Sequence, residues 1–405
     1  MSTARPKPRL NILIIGAGMY VCGRGTGDLG TIWPAVCRFA ARGGSADIKV
    51  ASRSPESVAD FEEKAAQLAE ATGFRVEYEV YPKGTSPEPE AYLDALSDLK
   101  DPGVVIVATP DPLHYEMAKT AIEAGKHVLV VKPLTPAVAA ARDLTEAAAA
   151  AGVHAAVEFH KRLDLANLQI KKALRTGRIG EPVYFCVEYS QRRNIPLETF
   201  RRWVESTNVF QYLAVHYVDI IYFFTGAKPI RLTSIGQKFF LSSQGINTYD
   251  SVQAIIEWSH GFSSTFCVNW IDPIRSNAMS RQSIKVIGTK GHFESDQTKR
   301  GCTLTTDDHG VEEINPYFCQ SYPDEQNHLV YTGYGVDSVI QFLEDCTNIA
   351  SGCVTPLELA GARPTFADAM VSTAVVEAVN KSLASGGKWV SFDEELQPIL
   401  ETELG

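Results

Sequence analysis

The chain has no CxxC pair and no Cys/His cluster of zinc spacing; its eight cysteines, Cys22, Cys37, Cys186, Cys267, Cys302, Cys319, Cys346 and Cys353, are scattered. That distribution predicts reduced, mostly buried thiols and argues against a disulfide framework or a metal site. A long basic run is also missing: Lys and Arg number 38 against 48 acidic residues, a formal charge of −10, so nucleic acid is not an expected partner. No apolar run reaches membrane-spanning length. The first such run, Asn11 to Ile15, ends in a glycine loop rather than a small-residue cleavage site, so no membrane partner and a cytoplasmic location are expected. There are no internal repeats, and the only compositional bias is the alanine-rich stretch 137–151.

What is present is an ordinary globular composition, 45% hydrophobic and 21% charged, over 405 residues, enough for two domains with separate cores. From residue 10 to about 160, short apolar runs (11–15, 47–51, 76–81, 104–108, 127–131, 153–158) alternate with helical stretches (32–42, 55–71, 89–98, 112–124, 136–151). This alternation predicts an α/β Rossmann-type dinucleotide-binding domain over residues 1–160. Asp111-Pro112 and Thr135-Pro136 read as helix starts, and Gly125 and Gly152 as helix ends. The breaker-rich stretch from Tyr81 to Pro89 predicts an extended surface loop. Beyond residue 160, a helix near 165–176 precedes strand-like runs at 182–190, 230–240, 250–259, 262–270, 282–287 and 302–306. Helices are expected near 209–225, 335–351 and 364–385. Residues 161–405 are thus expected to form an α+β domain of mostly antiparallel strands.

The first strand leads into Gly16-Ala17-Gly18-Met19-Tyr20, where glycines permit a tight turn and the approach of backbone amides to a pyrophosphate. Val21 stands where a third small residue is usual, and the sequence continues through Gly23, Arg24, Gly25, Gly27 and Gly30 before a helix begins. Gly25, Gly27 and Gly30 are candidates to share the phosphate cradle, with Arg24 pairing a phosphate. After the second strand, Ser52-Arg53 replaces the acidic residue that would hold ribose hydroxyls, which favours NADP over NAD as cofactor. The fourth strand ends in Thr109-Pro110-Asp111-Pro112-Leu113-His114 and the fifth delivers Lys132-Pro133 to the same carboxyl edge, where open α/β sheets bind ligands.

Taken together, these motifs resemble the family of glucose-fructose oxidoreductases, inositol dehydrogenases and rhizopine-catabolism oxidoreductases. The resemblance rests on the glycine turn, Ala108-Thr109-Pro110 with His114, Ala124 to Val128 before Lys132-Pro133, Lys161-Arg162-Leu163-Asp164, and Ile287 to Gly291. It implies that Lys132, the lysine of a Glu-Lys-Pro tripeptide, touches both cofactor and substrate oxygen, although Val131 stands in place of the glutamate. It also implies a catalytic histidine at His216, with Tyr212 where the family carries an aspartate. The resemblance alone implies that residues 161–405 carry a large, mostly antiparallel open sheet for substrate binding and oligomerisation, and that the protein is a homodimer or homotetramer.

Moving a hydride from a carbinol requires removal of the hydroxyl proton and stabilisation of the developing alkoxide. Those tasks suit His216 as base and Lys132 as cation, with Tyr212 holding substrate or extending the relay. Arg162, Asp164, Tyr189, Arg192, Arg193, Trp203 and Asn208 are candidates to hold the remaining hydroxyls of a sugar, glycoside or cyclic polyol. Two rival readings stand beside the dehydrogenase: a glycosidase of the same family that uses NAD transiently, and a dinucleotide-binding regulator without chemistry, suggested by Val131 and Tyr212.

Overall fold

A computed structural model describes residues 7–403. In chain order it comprises β1 (Leu10–Ile15), α1 (Met19–Cys22), α2 (Ile32–Ala41), β2 (Ser45–Ala51), α3 (Pro55–Thr72), β3 (Glu79–Tyr81), α4 (Ala91–Ser97), β4 (Gly103–Val107), α5 (His114–Glu123), β5 (His127–Val131), α6 (Val138–Ala151) and β6 (Ala155–Glu158). Then follow α7 (Leu165–Arg175), β7 (Pro182–Arg192), α8 (Val215–Thr225), β8 (Pro229–Gln237), α9 (Phe240–Ser243), β9 (Ser251–Trp258), β10 (Ser263–Asp272), β11 (Ser280–Gly288) and β12 (Gly291–Asp296). Two small hairpins, β13 (Cys302–Thr306) with β14 (Gly310–Ile314) and β15 (Gln320–Pro323) with β16 (Leu329–Thr332), precede α10 (Tyr334–Ala350), α11 (Pro356–Leu359), α12 (Phe366–Ala384), β17 (Val390–Phe392) and β18 (Pro398–Leu400). No helix among the described residues is long and apolar enough to cross a membrane.

The first sheet is wholly parallel, in the order β3-β2-β1-β4-β5-β6. Its inner strands read LNILII and GVVIV and are buried on both faces, the composition a parallel sheet covered on both sides requires. The flanking helix α3 has complete end signals: the Ser54 hydroxyl accepts from Ser57 N–H, Pro55 opens the first turn, and Gly73 closes the helix at φ 64°. Val76 and Tyr78, expected within the third strand, pack against the core without joining the ladder, Tyr78 edge-on to Trp33 and Phe61.

The second sheet has eight strands in the order β12-β11-β7-β10-β9-β8-β17-β18, antiparallel except where β7 runs parallel to β10. The expected strand 230–240 stops at Gln237, because the Asp250 carboxylate accepts from the backbone N–H groups of Phe239, Phe240 and Leu241 and folds them into α9. The expected helix 209–225 begins as a π-helical turn, Phe210–Ala214, before α8.

The chain forms two compact units that interleave in sequence. The first comprises residues to Leu134, Arg142–His160 and Tyr317–Asp368; the second comprises Thr135–Ala141, Lys161–Pro316 and the chain from Ala369 on. The first unit thus includes α10, far beyond residue 160 in the chain. The cause lies in its apolar stripe: Val336, Val339, Ile340, Leu343 and Cys346 join one core with Val36 and Phe39 of α2 and Ile12 of β1. The thiols are free, but only Cys22, Cys37 and Cys346 are buried; Cys267, Cys302 and Cys353 are exposed, fewer buried than the composition suggests.

Candidate active site

In the first unit, the carboxyl edge of the parallel sheet collects Gly16, Gly18, Met19 and Tyr20 after β1, Thr109, Pro110, Asp111 and His114 after β4, and Lys132 and Pro133 after β5. Gly16 adopts φ 121°, and a Cβ there would lie 2.2 Å from the Ala108 carbonyl oxygen, so glycine is obligatory for this turn to reach β4. A Cβ on Gly18 would meet nothing within 4 Å. The glycine turn thus leaves open space beside Gly18 and the first-turn amides that follow it, where a dinucleotide pyrophosphate fits.

The loop after α1 is held by its own glycines and by α3. Gly23 and Gly30 are needed for its own fold, since a Cβ at either would strike backbone at 1.9 and 2.6 Å. The Arg24 guanidinium, a candidate to pair a phosphate, meets Asp60 at 2.6 Å and donates to the Ser57 hydroxyl, while the Lys64 ammonium donates to the carbonyls of Thr26 and Asp28. The loop is pinned to α3, with Gly25 and Gly27 at the surface. Ser52 is half-buried and Arg53 exposed at the end of β2.

Asp111 does not cap a helix as its place before a proline suggests. The chain makes a 3-10 turn over Asp111–Leu113 without a side-chain cap, and the Asp111 carboxylate is buried. His114 is fully buried, and its two ring nitrogens lie 2.8 Å from the carbonyl oxygens of Pro133 and Thr109, joining the segments that follow β4 and β5. Burial lowers Lys132 from the ordinary lysine value to about 8, against the opposing fields of Asp111 and Glu158.

Sequence reasoning missed Glu158 and His160. Glu158 ends β6 with 2% exposure; its carboxylate accepts from His160 Nδ1 at 2.9 Å and from the Ser338 hydroxyl of α10. Tyr20 Oη stands 3.2 Å from the same His160 nitrogen, and burial with the Glu158 charge raises its phenol well above the ordinary range, so it stays protonated. The signal that would have found them is positional: a carboxylate at the carboxyl end of an otherwise apolar strand, the same logic that nominated Lys132.

In the second unit, His216 is buried on α8, with its ring centroid 6.4 Å from that of Tyr189. Tyr212 sits on the π-helical turn just before α8, among Phe200, Trp203 and Trp270 with centroids 4.8 to 5.9 Å away. A π-turn re-aims the side chains around it and recurs at functional sites. Lys161, buried, lies over the Tyr189 and Tyr217 rings at 5.3 and 5.0 Å and donates to Gln282.

Other nominated hydroxyl-binding groups have structural occupations. Arg162 forms a two-pronged pair with Asp219 at 2.6 and 2.8 Å. Asp164, with no exposed surface, caps α7 through Ala166 N–H and takes both prongs of Arg300. Asn208 accepts from the amides of Phe210 and Gln211 and donates to Asn380, while Arg192 and Arg193 donate to backbone carbonyls of the 271–278 segment. Arg162, Asp164 and Asn208, nominated as substrate contacts, thus also make bonds that hold the fold.

Strand order 3-2-1-4-5-6, with a glycine turn after the first strand, defines a dinucleotide-binding α/β protein carrying a second, open-sheet domain. Residues 10–159 match the model described as "Oxidoreductase family, NAD-binding Rossmann fold", and residues 167–294 match "GFO/IDH/MocA C-terminal domain". The chain belongs to the GFO/IDH/MocA oxidoreductase family.

Among curated relatives, it is 29% identical over 208 residues to the scyllo-inositol 2-dehydrogenase (NAD(+)) of Bacillus subtilis (strain 168), covering 49% of this chain and 59% of that one. It is 31% identical over 170 residues to the 1,5-anhydro-D-fructose reductase of Ensifer adhaerens, covering 41% and 50%. The first curated relatives are matched over 35% to 59% of their own length. The scyllo-inositol dehydrogenase from Lactobacillus casei, solved with NAD(H) and scyllo-inositol, shares the fold at TM-score 0.67 with 16% identity, over 95% of this chain and 99% of that chain.

Proposed function

We propose that the protein is an NAD(P)-dependent oxidoreductase acting on the CH–OH or keto carbon of an inositol, sugar or related polyol, with Lys132 and His216 as its catalytic groups. The observation that carries this reading is the carboxyl edge of the parallel sheet, where an open glycine turn follows β1 and a lysine brought to about 8 follows β5, with β4 between them. Nicotinamide, when bound, accepts or returns the hydride. Gly16, Gly18 and the first turn at Met19 and Tyr20 would hold the pyrophosphate, and Thr109 to Asp111 with Pro133 would line the nicotinamide side. Arg53, exposed at the end of β2, would select a 2′-phosphate and hence NADP.

In this reading Lys132 stabilises the substrate oxygen as its proton leaves, His216 takes that proton, and Tyr212 borders the substrate. Tyr189 and Trp203 remain candidate ring and hydroxyl contacts. Dehydrogenases and reductases of polyols among the relatives support the substrate class. Assembly into a homodimer or homotetramer belongs to the same reading. It is supported by side chains such as Ile230, Ile235 and Ile255, which stand exposed on β8 and β9 of the open sheet.

The deciding experiment is a panel of inositols, aldoses and glycosides followed by absorbance of the reduced nicotinamide with NAD and with NADP. Substrate-dependent formation or loss of that band supports the oxidoreductase. Free sugar released from glycosides with no change in the band, or tight dinucleotide binding with no turnover anywhere in the panel, overturns it.

A further inference from the structure

The turn that follows Gly18 is held from two sides, and both holds meet at Tyr20. On the backbone side, the Tyr20 carbonyl accepts from Thr31 N–H at 2.9 Å. Gly30, just before Thr31, takes φ 74°, and a Cβ there would strike the backbone of Val21 and Cys22 at 2.6 Å, so this close approach requires glycine. On the side-chain side, the Tyr20 hydroxyl lies 3.2 Å from His160 Nδ1, which stands 2.9 Å from one carboxylate oxygen of Glu158. Glu158 has 2% exposure, and the Ser338 hydroxyl of α10 meets its other oxygen. His160 is packed among rings, with centroids 5.1 Å from Phe318, 5.7 Å from Tyr334 and 6.1 Å from Tyr20.

The protons available order this cluster. A carboxylate can only accept, so the His160 Nδ1 proton faces Glu158, and Nδ1 then cannot also accept from Tyr20. The single hydroxyl proton of Tyr20 is thereby directed to the same carboxylate, whose charge adds to burial in keeping the phenol protonated. Donors from positions 20, 160 and 338 converge on a group that is costly to bury without them, and all four residues belong to the first unit.

We propose that Tyr20 is a positioning residue for the dinucleotide: its hydroxyl, seated on the buried Glu158–His160 pair, anchors the turn after Gly18 so that the cradle is formed before the dinucleotide binds. One residue thus fixes the turn twice, through its hydroxyl against the end of β6 and through its carbonyl against the loop that opens α2. A turn ordered in advance loses less conformational freedom when its ligand arrives, so affinity rises without any added contact. The inference deepens the assignment of Gly16, Gly18, Met19 and Tyr20 to the pyrophosphate and rests on that reading for its effect on affinity, whereas the order of the turn is measured separately.

The test compares the unsubstituted chain with Tyr20→Phe, which keeps the ring and removes the hydroxyl. Amide hydrogen exchange over residues 16–23 is followed by mass spectrometry without dinucleotide, and NADH and NADPH affinities by fluorescence titration. Exchange over 16–23 is expected to be slow in the unsubstituted protein and about tenfold faster in Tyr20→Phe, with about tenfold weaker binding, since a turn formed a tenth of the time binds correspondingly more weakly. A hydroxyl that only holds the fold would lower the melting temperature and leave both affinities within about twofold. That result overturns the proposal, as does unchanged exchange over 16–23. Glu158→Leu, alone and combined with Tyr20→Phe, closes a double-mutant cycle: affinity losses that do not add support action through Glu158, and additive losses overturn it. Should Tyr20→Phe fail to fold by circular dichroism, the unsubstituted protein decides. Slow exchange over 16–23 without dinucleotide supports a cradle formed in advance, and exchange as fast as an exposed loop until NADPH or NADH is added overturns it. A chain that binds neither dinucleotide would retire the pyrophosphate assignment, while the exchange comparison would still decide the anchor.

Discussion

Charged side chains are buried in both units, but they are used in opposite ways. In the second unit Arg162 with Asp219, and Asp164 with Arg300, form closed forks in which each guanidinium meets both oxygens of one carboxylate. In the first unit Lys132 feels two carboxylates, Asp111 and Glu158, and burial still brings it to about 8. A closed fork fixes geometry; an ammonium in a mixed field near neutral pH can respond to a ligand. The contrast separates residues that hold the fold from residues suited to chemistry, although both sets are polar, buried and close in sequence.

The largest effect expected is at the responsive site. Lys132→Ala should lower turnover by about 10²- to 10⁴-fold while dinucleotide still binds, measured as kcat and by fluorescence titration of the cofactor. In the unsubstituted protein, kcat should fall as pH rises through about 8, because the neutral amine no longer stabilises an oxyanion. The linkage sign for stability is opposite. The folded state releases the Lys132 proton earlier than the unfolded chain does, so this group's contribution becomes more favourable above pH 8, up to the ordinary lysine value. Near-normal turnover in Lys132→Ala would erase the contrast between the two regions.

Breaking a closed fork should instead cost stability. Asp164→Ala strands the Arg300 guanidinium, of which 6% is exposed, and removes the cap of α7; about 3–5 kcal/mol is expected in denaturant unfolding. A loss under 1 kcal/mol would show that the fork contributes little to the fold. Arg53→Ala should shift the ratio of NADP to NAD affinity by about tenfold toward NAD without changing the melting temperature, consistent with one charge-assisted contact. A wild-type ratio at or below one would remove Arg53 from cofactor selection. Smallest of all, Arg24→Ala opens a partly exposed pair with Asp60 and should cost no more than about 1 kcal/mol, with cofactor affinity nearly unchanged. A tenfold loss of cofactor affinity would restore Arg24 to the phosphate site.

Much of the first sheet was legible because a strand buried on both faces must be a continuous apolar run, and β1, β4 and β5 are such runs. The edge position of Lys132 followed from the same pattern. What was hidden depended on partners distant in sequence. No local pattern tells that Arg24 will meet Asp60, that Asp164 will meet Arg300 from 136 residues away, or that Asp250 will bend the chain after Gln237. Glu158 was overlooked for a related reason: its partner Ser338 lies 180 residues away. The π-turn at Phe210–Ala214 was invisible because helical periodicity tolerates one extra residue per turn.

The interleaving of the two units bears on how the protein is made. The apolar sides of α2 and β1 share their core with α10, so the nucleotide-binding half lacks part of its interior until residues 317–368 leave the ribosome. At about 5–20 residues per second, the interval between residue 160 and residue 368 lasts roughly ten to forty seconds. During synthesis a nascent chain halted near residue 160 would display Val36 and Phe39 to water, a surface for chaperones to shield until translation delivers the helix that covers it.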